Sequence, residues 1–413
     1  MSPHRTLHHP PSPRQGPRPL PFHLISQATT LFSSQGALPG LRNGSLTWKP
    51  GLRAAAETLR QTLAGLDAEA FSRAVQAESA RRMAGFLDGI EAYRRHPYRR
   101  ALPEAAVVWR DGGSRLLDYA PAAAPEAPPV LVVPSLINRA YILDLTPKRS
   151  LMRYMAEKGL RPFLLDWGTP GPLEKTFDLN AYIGGRLSRA LDAVLALAGK
   201  PALVGYCMGG LLGLGLGLLR QEDVGGLALL ATPWDFHQPD TRQARMLQSL
   251  ARPLEDVMEL EGVLPLDLLQ VLFASIDPSG ADRKFRAFAR LPPRGAKARD
   301  FVALEDWLND GVPLAAPVAR DCLFGWYGRN DTAAGRWCLG GRAMRPQDFT
   351  KPSLAMIPLR DRIVPPVSAL PLARSLPRCR IRQVAVGHIG MMTGRRAKTE
   401  IYGPLVRWLK GVR

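Results

Sequence analysis

The sequence predicts an α/β fold with a mostly parallel central sheet. From about residue 105 onward, short apolar runs alternate with helical patterns, which is typical of repeated strand–helix units. The first two runs flank the turn "RDGGS" and therefore predict an antiparallel hairpin at the start of the sheet. A composition of 46% hydrophobic and 22% charged residues is that of a globular chain with a large core. We expect helices to cover both faces of this sheet.

The N-terminal part of the chain differs in composition. The first 56 residues contain six Lys or Arg residues, four of the seven histidines and no acidic residue. Such a segment buries little apolar surface, so we expect residues 1–45 to be a disordered basic tail, with a transit peptide as the alternative. Apolar residues then recur at three- and four-residue steps between residues 59 and 100. This periodicity predicts an N-terminal helical region over 46–104.

Eight apolar runs define the predicted sheet. They are AAVVW, RLLDY, PVLVVP, RPFLLDW, ALVGY, GGLALLA, PSLAMIP and RIRQVAV, in chain order. They place the core of the fold in residues 105–240 and 346–413. The connection between them, residues 241–345, is far longer than an ordinary loop, and we expect it to form a cap or lid. A cap that packs on the core without gating is the alternative.

The net charge of +19 and the four cysteines limit the classes of partner. The densest basic run, Arg283–Arg299, predicts either a solvated face or a surface that attracts coenzyme A phosphates. No nucleic-acid-binding motif accompanies it, so we expect no nucleic-acid partner. The cysteines have no CxxC spacing, so neither a disulfide framework nor a metal site is expected, and a reducing cytoplasm fits best.

The most informative motif is Gly205-Tyr206-Cys207-Met208-Gly209. It lies between a predicted strand and a predicted helix, and it matches the G-x-S-x-G nucleophile elbow with sulfur in place of oxygen. The positive end of a helix dipole would favour the thiolate of Cys207, and the N–H of Met208 would be one oxyanion-hole donor. A small, buried structural cysteine is the alternative. The 19 uncharged residues between Lys200 and Arg220 include six glycines and begin as a strand, so we expect no transmembrane segment.

Two further residues complete the order expected of an α/β-hydrolase fold, in which an acid and then a histidine follow the nucleophile at later strand ends. Asp361 follows the strand SLAMIP, and His388 follows the last strand. Taken alone, Asp361 between Arg360 and Arg362 is also consistent with a surface ion-pair cluster, and His388 with an ordinary loop histidine. The occurrence of all three residues at the appropriate strand ends favours a catalytic triad.

These motifs resemble those of the polyhydroxyalkanoate synthases, most closely the short synthases of the two-subunit type. The matching stretches are "VLVVPSLINRAYILDLTPKRS", "RPFLLDWGTPGP", "GYCMGG", "LRDRIVPP" and "VGHIGMMTG". They cover roughly residues 105–240 and 350–410. The resemblance implies an α/β-hydrolase fold and an acyltransferase that polymerises (R)-3-hydroxyacyl-CoA with release of coenzyme A.

The resemblance also implies roles for individual residues. Cys207 would carry the growing acyl chain, His388 would be the general base and Asp361 its partner. The second oxyanion donor would be a backbone N–H in the loop Ser135–Asn138, with Ile137 as the candidate. Many synthases have a histidine directly after the acid, whereas this chain has Arg362.

The expected partners and location also follow from the resemblance. The partners are 3-hydroxyacyl-CoA and the polyester chain, together with a homodimer mate or a second synthase subunit. The acyl-CoA is a substrate, so no cofactor is expected. The expected location is the cytoplasm, at the surface of polyester granules. Two other functions remain open at this point: an intracellular depolymerase or thioesterase that uses the same triad, and a catalytically inactive granule-binding subunit.

Overall fold

A computed structural model describes residues 14–412, which divide into two compact units. The helical unit contains the chain up to Arg99 together with Gln270–Asn309, and the α/β unit contains Arg100–Leu269 and the chain from Asp310 onward. The helices are α1 (Leu20–Asn43), α2 (Arg53–Ala64), α3 (Ala68–Arg95), α4 (Leu151–Glu157), α5 (Ser188–Ala198), α6 (Met208–Leu219), α7 (Arg242–Ser249), α8 (Ala251–Glu261), α9 (Leu266–Ala274), α10 (Gly280–Ala289), α11 (Ala296–Asn309), α12 (Ala316–Arg320), α13 (Pro366–Ser375), α14 (Gly390–Thr393) and α15 (Gly403–Gly411).

The α/β unit is built on an eight-stranded sheet. Its strands are β1 (Ala106–Asp111), β2 (Ser114–Asp118), β3 (Pro129–Val133), β4 (Arg161–Asp166), β5 (Ala202–Tyr206), β6 (Gly226–Leu230), β7 (Ser353–Pro358) and β8 (Cys379–Val384). Their order across the sheet is β1-β2-β4-β3-β5-β6-β7-β8. Strands β1 and β2 form an antiparallel hairpin, β2 pairs antiparallel with β4, and the other pairs are parallel. All eight predicted strands are therefore present, and the prediction of an α/β-hydrolase fold is confirmed.

Smaller elements complete the α/β unit. Three two-stranded pairs join Asp144–Thr146 to Arg149–Ser150, Val263–Leu264 to Leu314–Ala315, and Cys338–Leu339 to Arg342–Ala343. Three π-helical segments span Ala181–Leu187, Asp321–Gly328 and Lys398–Tyr402.

The middle of the sheet is fully covered. Every residue of β5, β6 and β7 is buried, as is nearly all of the glycine-rich helix α6 that follows β5. Continuous apolar strands of this kind are typical of a parallel sheet with helices on both faces. The uncharged stretch after Lys200 is therefore a buried strand and helix. Across residues 14–412, the structure contains no helix with the length and apolarity needed to span a bilayer.

The helical unit corrects the prediction of a disordered tail over residues 1–45. Residues 20–43 of that range form α1, because Leu20 and Leu24 pack against a core built from other segments and Leu31 is buried. Residues 1–13 lie outside the described part of the chain. The composition of this segment is unfavourable for folding alone, and contacts from distant residues supply the buried surface that it lacks.

The prediction of one continuous insertion over residues 241–345 is also corrected. Residues 270–309 belong to the helical unit, where Phe285 and Val302 share one core with Phe86 and Tyr93. Helices α3 and α10 approach so closely that a Cβ on Gly89 would lie 2.2 Å from the carbonyl oxygen of Phe285. The two ends of the insertion belong to the α/β unit.

Candidate active site

Cys207 lies on a strained turn between β5 and α6. Its backbone has φ 56° and ψ −126°, a conformation that non-glycine residues rarely adopt. The Cys207 N–H donates a hydrogen bond to the carbonyl of Leu230 in β6 at 2.8 Å, which holds the turn against the neighbouring strand. Strain of this kind persists only where the surroundings impose it, and it is common at catalytic residues. The turn projects the sulfur at the carboxyl edge of the sheet.

Glycines permit this turn because other atoms occupy the space where side chains would lie. A Cβ on Gly205 would be 2.4 Å from the Cα of Gly210, and one on Gly209 would be 2.1 Å from the carbonyl oxygen of Val133. A Cβ on Gly210 would be 1.9 Å from the Oγ1 of Thr232. The motif in the sequence indicates that Gly205 and Gly209 are required. It does not indicate that Gly210 is required, because that requirement comes from Thr232, which follows β6.

Asp361 follows β7 and is held by three hydrogen bonds. Its Oδ1 accepts from the backbone N–H groups of Ile363 at 2.8 Å and Val364 at 2.9 Å. Its Oδ2 accepts from Nδ1–H of His388 at 2.6 Å. The carboxylate is fully buried, whereas the side chains of Arg360 and Arg362 are exposed. The alternative of a surface ion-pair cluster is therefore wrong for Asp361.

His388 lies in the irregular segment between β8 and α14. This segment is tied to the loop that carries Asp361: the N–H of Leu359 donates to the carbonyl of Val384 at 2.8 Å, and the N–H of Arg360 donates to the carbonyl of Val386 at 2.9 Å. Two consecutive backbone bonds thus bring the loops after adjacent strands together. The imidazole, with 8% of its side chain exposed, is oriented by the carboxylate on one side.

The Cys207 sulfur lies close enough to the imidazole for the two groups to interact. Burial lowers the pKa of His388, but the negative charge of Cys207, the hydrogen bond to Asp361, the polar interaction with the sulfur and the charge of Asp361 together raise this pKa to about 10. The structure therefore brings together all three residues that were selected from the sequence, with a hydrogen bond from His388 to Asp361 and the sulfur near the imidazole.

The two predicted oxyanion donors differ in their surroundings. Met208 is the first residue of α6, so its N–H has no partner within the helix and remains a candidate donor. The N–H of Ile137 donates to Oγ of Ser135 at 3.2 Å. This bond occupies Ile137 within its own loop, so the selection of Ile137 is not supported. Another N–H in the loop Ser135–Asn138 is required if that loop supplies the second donor.

The remaining predicted features have structural roles. His96 contacts the carbonyl of Pro293 at 2.6 Å, and His237 contacts those of Tyr327 and Gly328 at 3.2 and 3.1 Å. Within the basic run Arg283–Arg299, carboxylates neutralise three cations through the pairs Arg283–Asp277, Lys284–Glu305 and Arg286–Asp282. Three of the seven cations in this run are therefore neutralised within the helical unit. Among residues 14–412, no group of three His, Cys, Asp or Glu residues could hold a metal ion.

An aromatic cluster lies near the site and was not selected from the sequence as part of it. The rings of Phe236 and Tyr327 are 4.6 Å apart, and those of Trp326 and Trp337 are 5.6 Å apart. Burial raises the pKa of Tyr327 above its ordinary value, and the charges of Cys207 and other acidic groups raise it further. Part of this cluster lies on a π-helical turn, a feature that often occurs at functional sites.

Comparisons with known proteins show which proteins this chain is similar to. Residues 99–155 match the family model described as the N-terminus of poly-beta-hydroxybutyrate polymerase (PhaC). The chain is 30% identical to the poly(3-hydroxyalkanoate) polymerase subunit PhaC of Allochromatium vinosum over 296 residues, covering 70% of this chain and 83% of that protein. It is 29% identical to the subunit of the same name from Synechocystis, covering 68% of this chain and 77% of that protein. A thermophilic esterase from Thermogutta terrifontis superimposes with a TM-score of 0.45 at 16% identity, covering 76% of this chain and 99% of that one.

Proposed function

Because this chain belongs to the poly(3-hydroxyalkanoate) polymerase family, we propose that it is an acyltransferase that builds a polyester from 3-hydroxyacyl-CoA on Cys207. The observation that carries the assignment of residues is the convergence of Asp361, hydrogen-bonded to His388, with the sulfur of Cys207 on the strained turn, which lies near the imidazole. The proposed roles are nucleophile for Cys207, acid and base for His388, and orienting carboxylate for Asp361.

The first step loads the enzyme. The sulfur of Cys207 attacks the thioester carbonyl of the acyl-CoA, the bond between that carbonyl and the coenzyme A sulfur breaks, and the proton held on His388 passes to the departing thiolate. One thioester replaces another, so little free energy is lost and the acyl group stays reactive. The N–H of Met208 would stabilise the negative oxygen that forms during the attack.

The second step extends the chain. His388 takes the proton from the 3-hydroxyl of a second unit, and that oxygen attacks the carbonyl of the acyl group on Cys207. An ester bond forms, the bond to sulfur breaks, and the sulfur returns to its starting state. The lengthened chain now lies on the coenzyme A of the second unit, and a repeat of the first step moves it back to Cys207 with release of that coenzyme A. Asp361 keeps the proton on Nδ1, so that Nε2 faces the reacting groups. Water in place of the hydroxyl would give hydrolysis, so this step requires a dry site.

We further propose that the chain works in the cytoplasm at the surface of polyester granules, together with a second synthase subunit. An insoluble product that stays covalently attached to Cys207 would hold the enzyme at the granule. The relatives from Allochromatium vinosum and Synechocystis are named as subunits, which favours a second subunit over a homodimer mate. Sedimentation of the purified chain, alone and with candidate subunits encoded by neighbouring genes, distinguishes the two arrangements.

The proposed function is tested with purified protein and 3-hydroxybutyryl-CoA. We expect release of free coenzyme A, measured with a thiol reagent, together with insoluble polymer. Cys207→Ala should abolish both. Cys338→Ala is the matched control, since it removes an exposed cysteine elsewhere and should leave both unchanged. Coenzyme A release with only free acid would identify a hydrolase, and activity that survives Cys207→Ala would overturn the mechanism.

A further inference from the structure

We propose that Tyr206 is a positioning residue that fixes the backbone and ring of His388 against Cys207. This inference rests on the proposed function, because it concerns a residue that acts through His388. Tyr206 is the last residue of β5 and directly precedes Cys207. It occupies a variable position in the nucleophile motif, so the motif alone assigns it no role.

Two contacts join Tyr206 to His388. The Tyr206 hydroxyl donates a hydrogen bond to the backbone carbonyl of His388 at 3.2 Å. The tyrosine and imidazole rings are in contact, with centroids 5.3 Å apart and planes tilted by 30°. Tyr206 is 4% exposed, so both contacts are shielded from water. A buried carbonyl without a donor is costly, and the hydroxyl satisfies this one.

The Tyr206 hydroxyl supplies a hydrogen-bond donor to the His388 carbonyl, whereas the neighbouring carbonyls obtain their donors from the segment itself. The carbonyls on either side of His388 accept from α14 and its end: that of Gly387 from the N–H of Met391 at 3.0 Å, and that of Ile389 from the N–H of Met392 at 3.0 Å. The carbonyl of His388 instead points toward β5, where Tyr206 binds it. Tyr206 therefore fixes the one residue of this turn whose side chain reacts.

The electrostatic surroundings keep Tyr206 a donor. Burial raises its pKa well above the ordinary tyrosine value, and the charges of Cys207 and Asp361 raise it further. The hydroxyl therefore retains its proton wherever the triad operates.

The consequence is that one strand end positions two reacting groups. The backbone of β5 sets the sulfur through the strained turn at Cys207, and the preceding side chain sets the imidazole. Asp361 fixes Nδ1 of the ring, but a single hydrogen bond allows the ring to swing about that point. Tyr206 removes this freedom and keeps Nε2 directed at the sulfur.

The experiment compares Tyr206→Phe with Tyr119→Phe, both in a Cys338→Ala background that removes an exposed thiol. Tyr119 is a matched control because its hydroxyl donates to Asp144 at 3.1 Å in the same unit, near the opposite edge of the sheet. Two quantities are measured: kcat and KM with 3-hydroxybutyryl-CoA, and the pH dependence of Cys207 alkylation by iodoacetamide. Alkylation needs no turnover, so it reports on the pair even when no polymer forms.

For Tyr206→Phe we expect kcat to fall about fivefold at unchanged KM, the factor that corresponds to one net neutral hydrogen bond. We expect the alkylation profile of Cys207 to shift toward slower reaction, because His388 is held less firmly beside the sulfur. Tyr206→Leu, which also removes the ring, should move both quantities further. Tyr119→Phe should change the melting temperature alone.

The outcomes separate this inference from the proposed function. If Tyr206→Phe matches Tyr119→Phe in kcat and in the alkylation profile, Tyr206 has only a structural role and the inference is overturned. If Cys207→Ala retains activity, the proposed function fails instead. If Tyr206→Phe shifts the alkylation profile in an enzyme that only hydrolyses its substrate, the positioning role holds and the polymerase assignment does not.

Discussion

The three candidate catalytic residues lie at the carboxyl edge of the central sheet, whereas the amino edge has a cavity. At the carboxyl edge, Cys207, Asp361 and His388 converge at a strained turn, where Asp361 and His388 are buried and joined by a hydrogen bond and Cys207 is partly exposed. At the amino edge, where β3 and β5 begin, a cavity of about 1080 Å³ is lined by Pro129, Ala202 and many other small residues. The lining of this cavity includes no cysteine and no histidine. Strain and convergent charge therefore mark the site at the carboxyl edge, whereas this cavity offers volume without a nucleophile and base.

A matched pair of aspartate substitutions gives the largest expected contrast between the two edges. Asp361→Asn should lower kcat about 10³- to 10⁴-fold, because an amide does not hold the imidazole in the needed tautomer or stabilise its charge. Asp118→Asn is the control at the amino edge, where a fully buried carboxylate binds Arg161 at 2.9 Å. It should lower the free energy of unfolding by about 1–3 kcal/mol and leave kcat of the folded enzyme unchanged. Initial rates and urea titrations check both variants, and equal loss of kcat in the two would erase the contrast.

A second prediction tests whether the strained turn requires its glycines. Gly209→Ala should destabilise the fold by about 3 kcal/mol and abolish activity, because the new Cβ would lie 2.1 Å from the backbone oxygen of Val133. Gly213→Ala in the same helix is the control, since its Cβ would meet Leu227 at an ordinary 3.5 Å. Alanine is the better helix former, so this variant should be as stable as the parent or more stable, by up to about 1 kcal/mol. Thermal melts rank the two, and a fully active Gly209→Ala would show that the turn relaxes.

The smallest expected effect concerns the charge state at the carboxyl edge. Followed by NMR, the His388 imidazole should titrate near pH 10 in the parent, and Cys207→Ala should lower this pKa by on the order of one unit because one of the neighbouring negative charges is lost. The folded-state pKa lies above the ordinary value of 6.5. The stabilisation it provides is therefore complete below about pH 6.5 and is lost as the pH rises through about 10. A pKa that stays the same after loss of Cys207 would contradict the contact between sulfur and imidazole.

The elements that were predicted correctly can be recognised from patterns in residues that are neighbours in the sequence. Strands such as β3 and β6 are continuous apolar runs because both faces of the sheet are covered, so their burial can be predicted from the sequence. The nucleophile motif is equally local, since Gly205 and Gly209 flank Cys207 at fixed spacing. Asp361 and His388 were predicted to lie close together because each follows a parallel strand, and the carboxyl ends of parallel strands lie at the same edge of the sheet.

The elements that were missed depend on partners distant in sequence. Helix α1 forms because residues from α10 help to build the core beneath it. Gly210 is required because of Thr232, and Tyr206 faces a carbonyl 182 residues away. Such contacts cannot be predicted from sequence periodicity, because a single close contact between two segments produces no repeating pattern in either of them.

The sequence by itself determined the class of fold, the order of the strands along the chain and the identities of the sulfur, carboxylate and imidazole. Those depend on hydrophobic periodicity and on short spacings, which neighbouring residues define. Only the tertiary structure decided that residues 270–309 belong with the N-terminal helices and what holds His388 toward Cys207. Hydrogen-bond satisfaction and close packing depend on which distant segments meet, and that is fixed only when the whole chain has folded.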